Sequence, residues 1–492
     1  GCSRKDKTLF RLLDQDDTGI TFKNQIFEND KVNILEMEYV YNGGGVSVGD
    51  FNNDGLNDLF FTGNMIACQL YLNRGNLEFE DISEPAGIGG FYKWKSGSAV
   101  VDINGDGWLD IYVCTTISGD STMRRNMLFV NQGVDKNGIV RFEDQAAKYK
   151  IDYSGFSSNA GFFDYDRDGD LDLYIITNRK LPGVAVTWRA KVNDGSSLNT
   201  DKLFRNNGDG TFSDVSLESG IICEGYGLGL AFPDVNGDGW QDIYVSNDYI
   251  TNDLLYINQK NGTFKNEMDQ YIRHQSKFSM GNDAADINND GLLDIMTVDM
   301  LPDNNLRKKT VIGGAGYITY INDGKFGYAH QYVRNMLQLN NGNNTFSEIG
   351  QMAGVYQTEW SWSPLFADFD NDGFKDLIVT NGFPRDVTDR DFISYREKTH
   401  GLATREDLLS QVPSVKVPNA AFHNNGDLTF SEVSKSWGLD APSFSNGAAF
   451  ADLDNDGDLD YIINNINDFA SVYENTLNDS DNIISPVSYT HL

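Results

Sequence analysis

The chain has 492 residues, with 72 Asp and Glu against 39 Lys and Arg, and a formal net charge of −33. Bulk acidity of this order argues against a nucleic-acid partner, because binding phosphates needs a basic surface. No stretch approaches the roughly 20 apolar residues of a membrane-spanning helix, and the 4 Cys are few and scattered, which leaves a disulfide between two of Cys68, Cys114 and Cys223 open but unsupported.

From the N-terminus, Gly1-Cys2 precedes a polar tract, Ser3-Arg-Lys-Asp-Lys7. Residues 1–7 read as an exported tether, and the Gly-Cys pair resembles the junction left by a bacterial lipoprotein signal, with lipid on Cys2. A boundary with an incidental Cys is the plainer alternative. Next come Leu9-Phe10-Arg-Leu-Leu13 and Thr18-Gly19-Ile20, a short strand and a turn without a repeat unit of their own.

The first acidic loop follows: Asp50, Asn52, Asp54, Gly55 and Asp58 occupy loop positions 1, 3, 5, 6 and 9. Six more have the same design. They comprise Asp102, Asn104, Asp106 and Asp110; Asp164, Asp166, Asp168 and Asp172; Asp234, Asn236, Asp238 and Asp242; Asp286, Asn288, Asp290 and Asp294; Asp368, Asp370, Asp372 and Asp376; and Asp452, Asp454, Asp456 and Asp460. A hard cation such as Ca²⁺ takes six to eight oxygens from carboxylates, amides and backbone carbonyls. Alternate positions supply the side chains, and position 7 supplies its carbonyl, here from Leu56, Trp108, Asp170, Trp240, Leu292, Phe374 and Asp458. The Gly at position 6 permits the turn. Up to seven structural Ca²⁺ ions are the expected cofactors.

An EF-hand would place a Glu at position 12 and continue as a helix. Position 12 is instead Phe61, Val113, Ile175, Val245, Thr297, Val379 and Ile463. Position 9 opens β-branched and aromatic runs such as Asp110-Ile-Tyr-Val and Asp460-Tyr-Ile-Ile, and small apolar residues such as Gly97-Ser-Ala-Val-Val precede position 1. The unit is therefore strand, metal loop, strand. Downstream, Leu70-Tyr-Leu-Asn73-Arg-Gly75 and Phe79-Glu-Asp-Ile, repeated at Leu203 and Phe212, predict a hairpin that completes four strands. Four strands per unit make a propeller blade.

Successive loops start 52, 62, 70, 52, 82 and 84 residues apart, so every blade carries insertions beyond the usual 40–50 residues or so, the largest at about 299–335 and 381–419. The last unit lacks its fourth strand, and the spare strand around Phe10 supplies one. The fold class is thus all-β, a seven-bladed β-propeller over residues 8–478, with the metal loops between first and second strands and the ring closed by the N-terminal strand. Residues 479–492 fit no repeat and read as a truncated or non-native tail.

These loops resemble those of the FG-GAP/VCBS repeat family, whose integrin-type propellers bind calcium through the same pattern. The stretches Tyr41-Asn-Gly-Gly-Gly-Val46, Phe162 to Asp170 and Trp360-Ser-Trp362 are similar to the bacterial ASPIC/UnbV-associated group, akin to the cartilage acidic proteins. The resemblance implies calcium binding and an exported protein of the cell envelope or medium. It leaves an ASPIC/UnbV domain to be expected beyond Asn475. It fixes no reaction.

The expected function is a binding or adhesion module for an extracellular protein or glycan, with no catalytic residue assigned. The alternative is a propeller hydrolase or lyase acting on polysaccharide or phosphoester. Its best material is the insertion from Arg385 through Asp386, Asp389, Tyr395 and Arg396 to His400, which equally reads as a helix laced by ion pairs. His423 reads as a structural variant in a third strand. Trp360 and Trp362 read as packing between blades, Cys114 as buried filler, and the rings of Trp108 and Trp240 as covers for their own loops.

Overall fold

A computed structural model describes residues 8–89, 92–180, 186–311, 316–399 and 401–477. Among them lie seven four-stranded antiparallel sheets. Blade 1 is Val46–Gly49, Asp58–Phe61, Gln69–Asn73 and Phe79–Asp81 in that spatial order. Blades 2 to 6 repeat it, their first strands being Lys95–Val101, Ser157–Phe163, Gly227–Ala231, Gly281–Ala285 and Ser361–Ala367. Blade 7 runs Ser445–Ala451, Asp460–Asn465 and Ser471–Asn475, and its fourth strand is Phe10–Leu12 from the other end of the chain. Phe10 pairs with Asn475 and Leu12 with Tyr473. First strands of consecutive blades are neighbours all the way round, blade 7 against blade 1 included. The ring is closed, and the last blade keeps no unpaired third strand.

The second strands explain the apolar runs of the sequence. Ile111–Cys114 and Leu173–Ile176 are fully buried, because each lies mid-sheet with a neighbouring blade on both faces. Core clusters form across blade interfaces: Phe51, Phe60 and Leu70 of blade 1 pack with Ile111, Val113 and Phe129 of blade 2. Near the axis the inner strands approach so closely that side chains are excluded. A Cβ on Gly281 would lie 2.2 Å from the Trp362 carbonyl oxygen, and one on Gly447 would lie 2.5 Å from that of Gly44.

Metal loops and third-to-fourth-strand hairpins share one face. The other face carries the second-to-third-strand insertions and the links between blades. In blade 5 the insertion holds helices Asn305–Thr310 and Tyr317–Phe326; in blade 6 it holds Arg390–Lys398 and Arg405–Gln411. Residues 24–45, unforeseen from sequence, cross this face from the second-to-third-strand loop of blade 7, where Asn24 bridges Ile466, to the inner strand of blade 1. Trp360 and Trp362 are buried in one core cluster with Met296 and Leu337 of blade 5, and Trp360 stacks on Phe383 of its own blade with centroids 4.1 Å apart. Cys68, Cys114 and Cys223 are buried and unbridged. Cys2, His400 and residues 479–492 lie outside the described residues.

Candidate metal centres

Each acidic loop is a knot of backbone amides around carboxylates. In loop 1, Asp50 accepts from the amides of Asp54 at 3.0 Å and Gly55 at 2.8 Å, and Asp54 accepts from Leu56 at 3.0 Å. The path needs two left-handed residues. Position 6 is Gly in every loop, with φ from 83° at Gly107 to 95° at Gly457. Position 4 is also left-handed throughout: Asn53, Gly105, Arg167, Gly237, Asn289, Asn371 and Asn455, at φ 57–68°. Asn and Gly tolerate that region best, so Arg167 is the exception. Its guanidinium lies over the Trp240 ring of the next loop, 4.7 Å from the centroid.

Position 4 also links loops around the ring. Asn53 Nδ2 donates to the Gly107 carbonyl at 3.1 Å, Asn289 to Gly373 at 3.0 Å and Asn455 to Gly55 at 3.2 Å. The Trp240 ring is thus a platform for the neighbouring loop's Arg167. The Trp108 ring lies beside Gly133 of the blade 2 hairpin, where an added Cβ would meet it at 3.5 Å.

Position 9 is the buried end of the loop. Asp58 accepts from the Phe51 amide at 2.9 Å and from the Asn73 amide at 2.8 Å. The same two bonds recur in all seven blades, the second from Asn131, Asn206, Asn258, Asn340, Asn424 and Asn475 at 2.7–2.9 Å. In six blades that Asn also reaches the preceding blade. Asn73 Nδ2 donates to Leu453 O at 2.7 Å, and Asn131 to Phe51 O at 2.8 Å. Asn258, Asn340, Asn424 and Asn475 do the same at 2.7–2.8 Å. Asn206 reaches only Leu171 of its own blade, at 3.3 Å. This third-strand Asn, which from sequence looked like part of a turn, clasps loop to strand and blade to blade. Its signal was the fixed Asn before each hairpin.

Electrostatics without a cation are unfavourable. Burial pushes the carboxyls of Asp58, Asp110 and Asp242 up to about 7 and those of Asp172, Asp376 and Asp460 up to about 8. The amide hydrogen bonds oppose the shift, and neighbouring loop carboxylates add to it. Asp294 rises to about 6 for the same reasons. Burial also raises Asp166, Asp368, Asp370 and Asp452, and lifts Asp454 to about 6. Oxygens of Asp164, Asp166 and Asp172 converge within 4.8 Å, as do those of Asp368, Asp370 and Asp372 and those of Asp452, Asp454 and Asp456. Asp166 Oδ1 is buried and accepts no hydrogen bond. An oxygen-only donor set, crowded and partly unsatisfied, fits a hard divalent cation.

Loop 6 differs from its siblings. His423 Nδ1 sits 3.0 Å from Asp370 Oδ2 and 3.3 Å from Asp376 Oδ1. The expected structural variant therefore borders the loop and adds a nitrogen to its oxygens.

The first charged groups of the segment from Arg385 to Lys398 are engaged in ion pairs and a helix cap. Arg385 pairs with Glu28 at 2.7 Å, and buried Asp386 pairs with Arg307 at 2.8 Å. Asp389 caps the helix Arg390–Lys398 by accepting from the Asp391 and Phe392 amides. A cavity of about 780 Å³ lies instead where the channel meets the insertion face, beneath residues 36–39.

Comparison with known proteins agrees with this architecture. The FG-GAP-like repeat model matches residues 50–113, 190–245, 234–297, 317–379 and 405–463. Cartilage acidic protein 1 of Homo sapiens is 28% identical over 231 residues, covering 46% of this chain and 31% of that protein. Its Xenopus tropicalis counterpart is 28% identical over 207 residues, covering 42% and 29%. The chain thus spans about a third of the length of the curated relatives it matches. A solved Agrocybe aegerita lectin, described as recognising non-reducing terminal N-acetylglucosamine, aligns with 86% of this chain and 85% of its own at 17% identity and a TM-score of 0.39.

Proposed function

The chain belongs to the FG-GAP-like repeat family, and from that premise we propose that it is an exported, calcium-loaded propeller serving as a binding or adhesion module for an extracellular protein or glycan. The observation that carries the metal part is the repeated acidic loop, with its converging oxygens and the unsatisfied Asp166 Oδ1. Positions 1, 3, 5 and 9 would hold Ca²⁺ with their side chains and position 7 with its carbonyl. Bound calcium would supply the positive charge that cancels carboxylate repulsion. The protein's own contribution is the left-handed turn, the amide knot and the third-strand Asn, which hold the loop ready.

Because the unfolded chain has no preformed site, ion binding adds to stability by mass action. Weak sites, on the order of 10⁻⁴–10⁻³ M, suffice for an exported module. The binding part of the reading rests on the division of faces: metal loops on one, long insertions and the wide channel mouth on the other, where a rigid scaffold presents function. In the blade 6 insertion Arg385, Asp386, Arg405 and Lys416 are spent in ion pairs, which suits a structured rim.

A glycan and protein array probed with and without calcium tests this. Retention of a defined ligand in calcium, lost on chelation, is expected. Absence of any ligand in either condition would overturn the binding reading.

A further inference from the structure

We propose that the channel mouth on the insertion face binds an acidic saccharide, a sugar chain bearing a carboxylate, with Arg124 and Arg179 taking the acid group. The inference deepens the binding reading above and rests on it. The chain is strongly acidic, with a formal charge of −33, yet one wall of this cavity is cationic. Arg124 and Arg179 flank one ring, their guanidinium carbons 4.2 and 5.4 Å from the Phe156 centroid. Among the described residues neither forms a salt bridge, although the Arg124 charge is felt by the Asp120 carboxylate. Arg124 spends its donors on the carbonyls of Ser154, at 3.1 Å, and Ser118. Arg179 Nε is buried and donates to nothing. The third cation, Lys180, is neutralised by Glu38 at 2.5 Å. Two guanidinium groups outside any salt bridge, converging beside a cavity of about 780 Å³, ask for an anion, which Arg binds as a planar fork.

The rest of the lining specifies what carries that anion. Asn178 Oδ1, Asn282 Oδ1 and Asn446 Oδ1 line the same cavity, are buried and accept no hydrogen bond. Such acceptors need donors, and hydroxyl groups supply them. Trp94 and Tyr153 add flat apolar faces to the wall, suited to the C–H face of a pyranose ring. Anion, hydroxyl donors and an apolar face together describe a sugar acid.

The backbone is shaped for this role. Inner strands of blades 2, 3, 4, 6 and 7 carry register shifts, and the shifted residues Gly97, Ser158, Leu228, Ser363 and Asn446 line the cavity. Bulges of this kind re-aim side chains near functional sites. Ile117, also in the lining, is left-handed at φ 64°, a costly conformation for a β-branched residue. Residues 36–39 roof the mouth. Their anchors are Tyr39 to Asp248 at 2.9 Å and Arg405 to Glu36 at 2.5 Å.

The test is calorimetric titration of the whole chain, in calcium, with a glucuronate-containing tetrasaccharide and its carboxyl-reduced form. Inorganic sulfate, acetate and an acidic hexapeptide serve as controls. The acidic sugar is expected to bind at least tenfold tighter than the reduced one, with small anions far weaker. R124Q/R179Q should lose at least tenfold for the acidic sugar and nothing for the reduced one, while R124K/R179K, which keeps the charges, should recover part of the loss. If R124Q/R179Q melts early, N178A and N282A replace it, and each should weaken both sugars. Equal binding of the two sugars, indifference to the Arg changes, peptide binding as tight as sugar, or no sugar binding would each overturn the inference. A ligand found on the array but insensitive to these variants leaves the binding reading standing while this one falls.

Discussion

Two buried carboxylates outside the metal loops give a prediction whose control is built into the repeat. Asp201 Oδ1 accepts from the Thr177 amide at 2.8 Å, and Asp253 Oδ1 accepts from the Asn247 amide at 2.9 Å. At the matching place in blades 2, 5 and 6 the chain uses Asn126, Asn335 and Asn419, which accept the same strand amide at 2.8–2.9 Å. Burial pushes Asp201 and Asp253 up to about 7 from the ordinary 3.8. A raised carboxyl binds its proton more tightly in the folded state. Its contribution to stability is therefore intact below pH 3.8, fades as pH rises towards 7, and is lost above. At about 1.4 kcal/mol per tenfold change in proton affinity, the cost of ionising each is roughly 4 kcal/mol as an upper limit.

The Asn solution removes that cost. In blade 2, Asn126 Nδ2 donates to the Tyr112 hydroxyl at 2.9 Å, whereas Tyr174 and Tyr244 donate to Asp201 and Asp253 at 3.1 and 2.9 Å. Reversing that bond and freeing a phenol proton costs about 1 kcal/mol. D201N/D253N is therefore expected to be more stable by about 3 kcal/mol or more at pH 8.5, with the gain shrinking towards zero near pH 4. At about 1 °C per kcal/mol for a cooperative unit of this size, melting in saturating calcium from pH 4.5 to 8.5 should show a rising difference of several degrees. A gain independent of pH, or a loss at pH 8.5, would refute the reasoning.

Three further outcomes follow from the ring. N131A removes donors to Phe51 O and Leu109 O and should cost about 2 kcal/mol in urea unfolding; N206A, whose amide reaches only its own blade, should cost about half as much. F10A deletes a buried ring packed on Phe369, Trp437 and Tyr461 and should cost about 3–5 kcal/mol, while deletion through Leu13 should produce aggregation through the bared Ser471–Asn475 edge, visible by light scattering. G55A meets no atom within 4 Å, so its cost of about 1 kcal/mol reports left-handed strain alone, while N53G relieves that strain but loses the bond to the Gly107 carbonyl and should cost no more than about 1 kcal/mol by the same melt.

Much of the fold is legible in the residues because the repeat states it seven times. Gly at position 6, the β-branched run after position 9 and the absent Glu at position 12 fix strand-loop-strand without reference to packing. Ring closure is legible because Phe10 and Gly19 have the spacing of a fourth strand, and Gly19 approaches the Phe79 backbone as a repeat Gly should. Contacts between units are not legible, since spacing within one repeat carries no information about its neighbour. The Asn131 bond to Phe51, the Arg167 contact with Trp240 and the aim of His423 at Asp370 and Asp376 all arise from such juxtapositions. The channel mouth was hidden for the same reason. Its lining comes from the inner strands of blades 2 to 7, from residues 42–45 leading into blade 1 and from the crossing segment at residues 36–39, which no periodicity marks.

The central claim is that the seven acidic loops hold calcium and that the ring depends on it. Ion content of the purified chain after dialysis against millimolar calcium, read together with its melting temperature before and after chelation, tests this most directly. The account predicts several bound Ca²⁺ per chain, up to seven, and a fall of many degrees on chelation that added calcium reverses. A chain that retains no calcium and melts at the same temperature in chelator would contradict it.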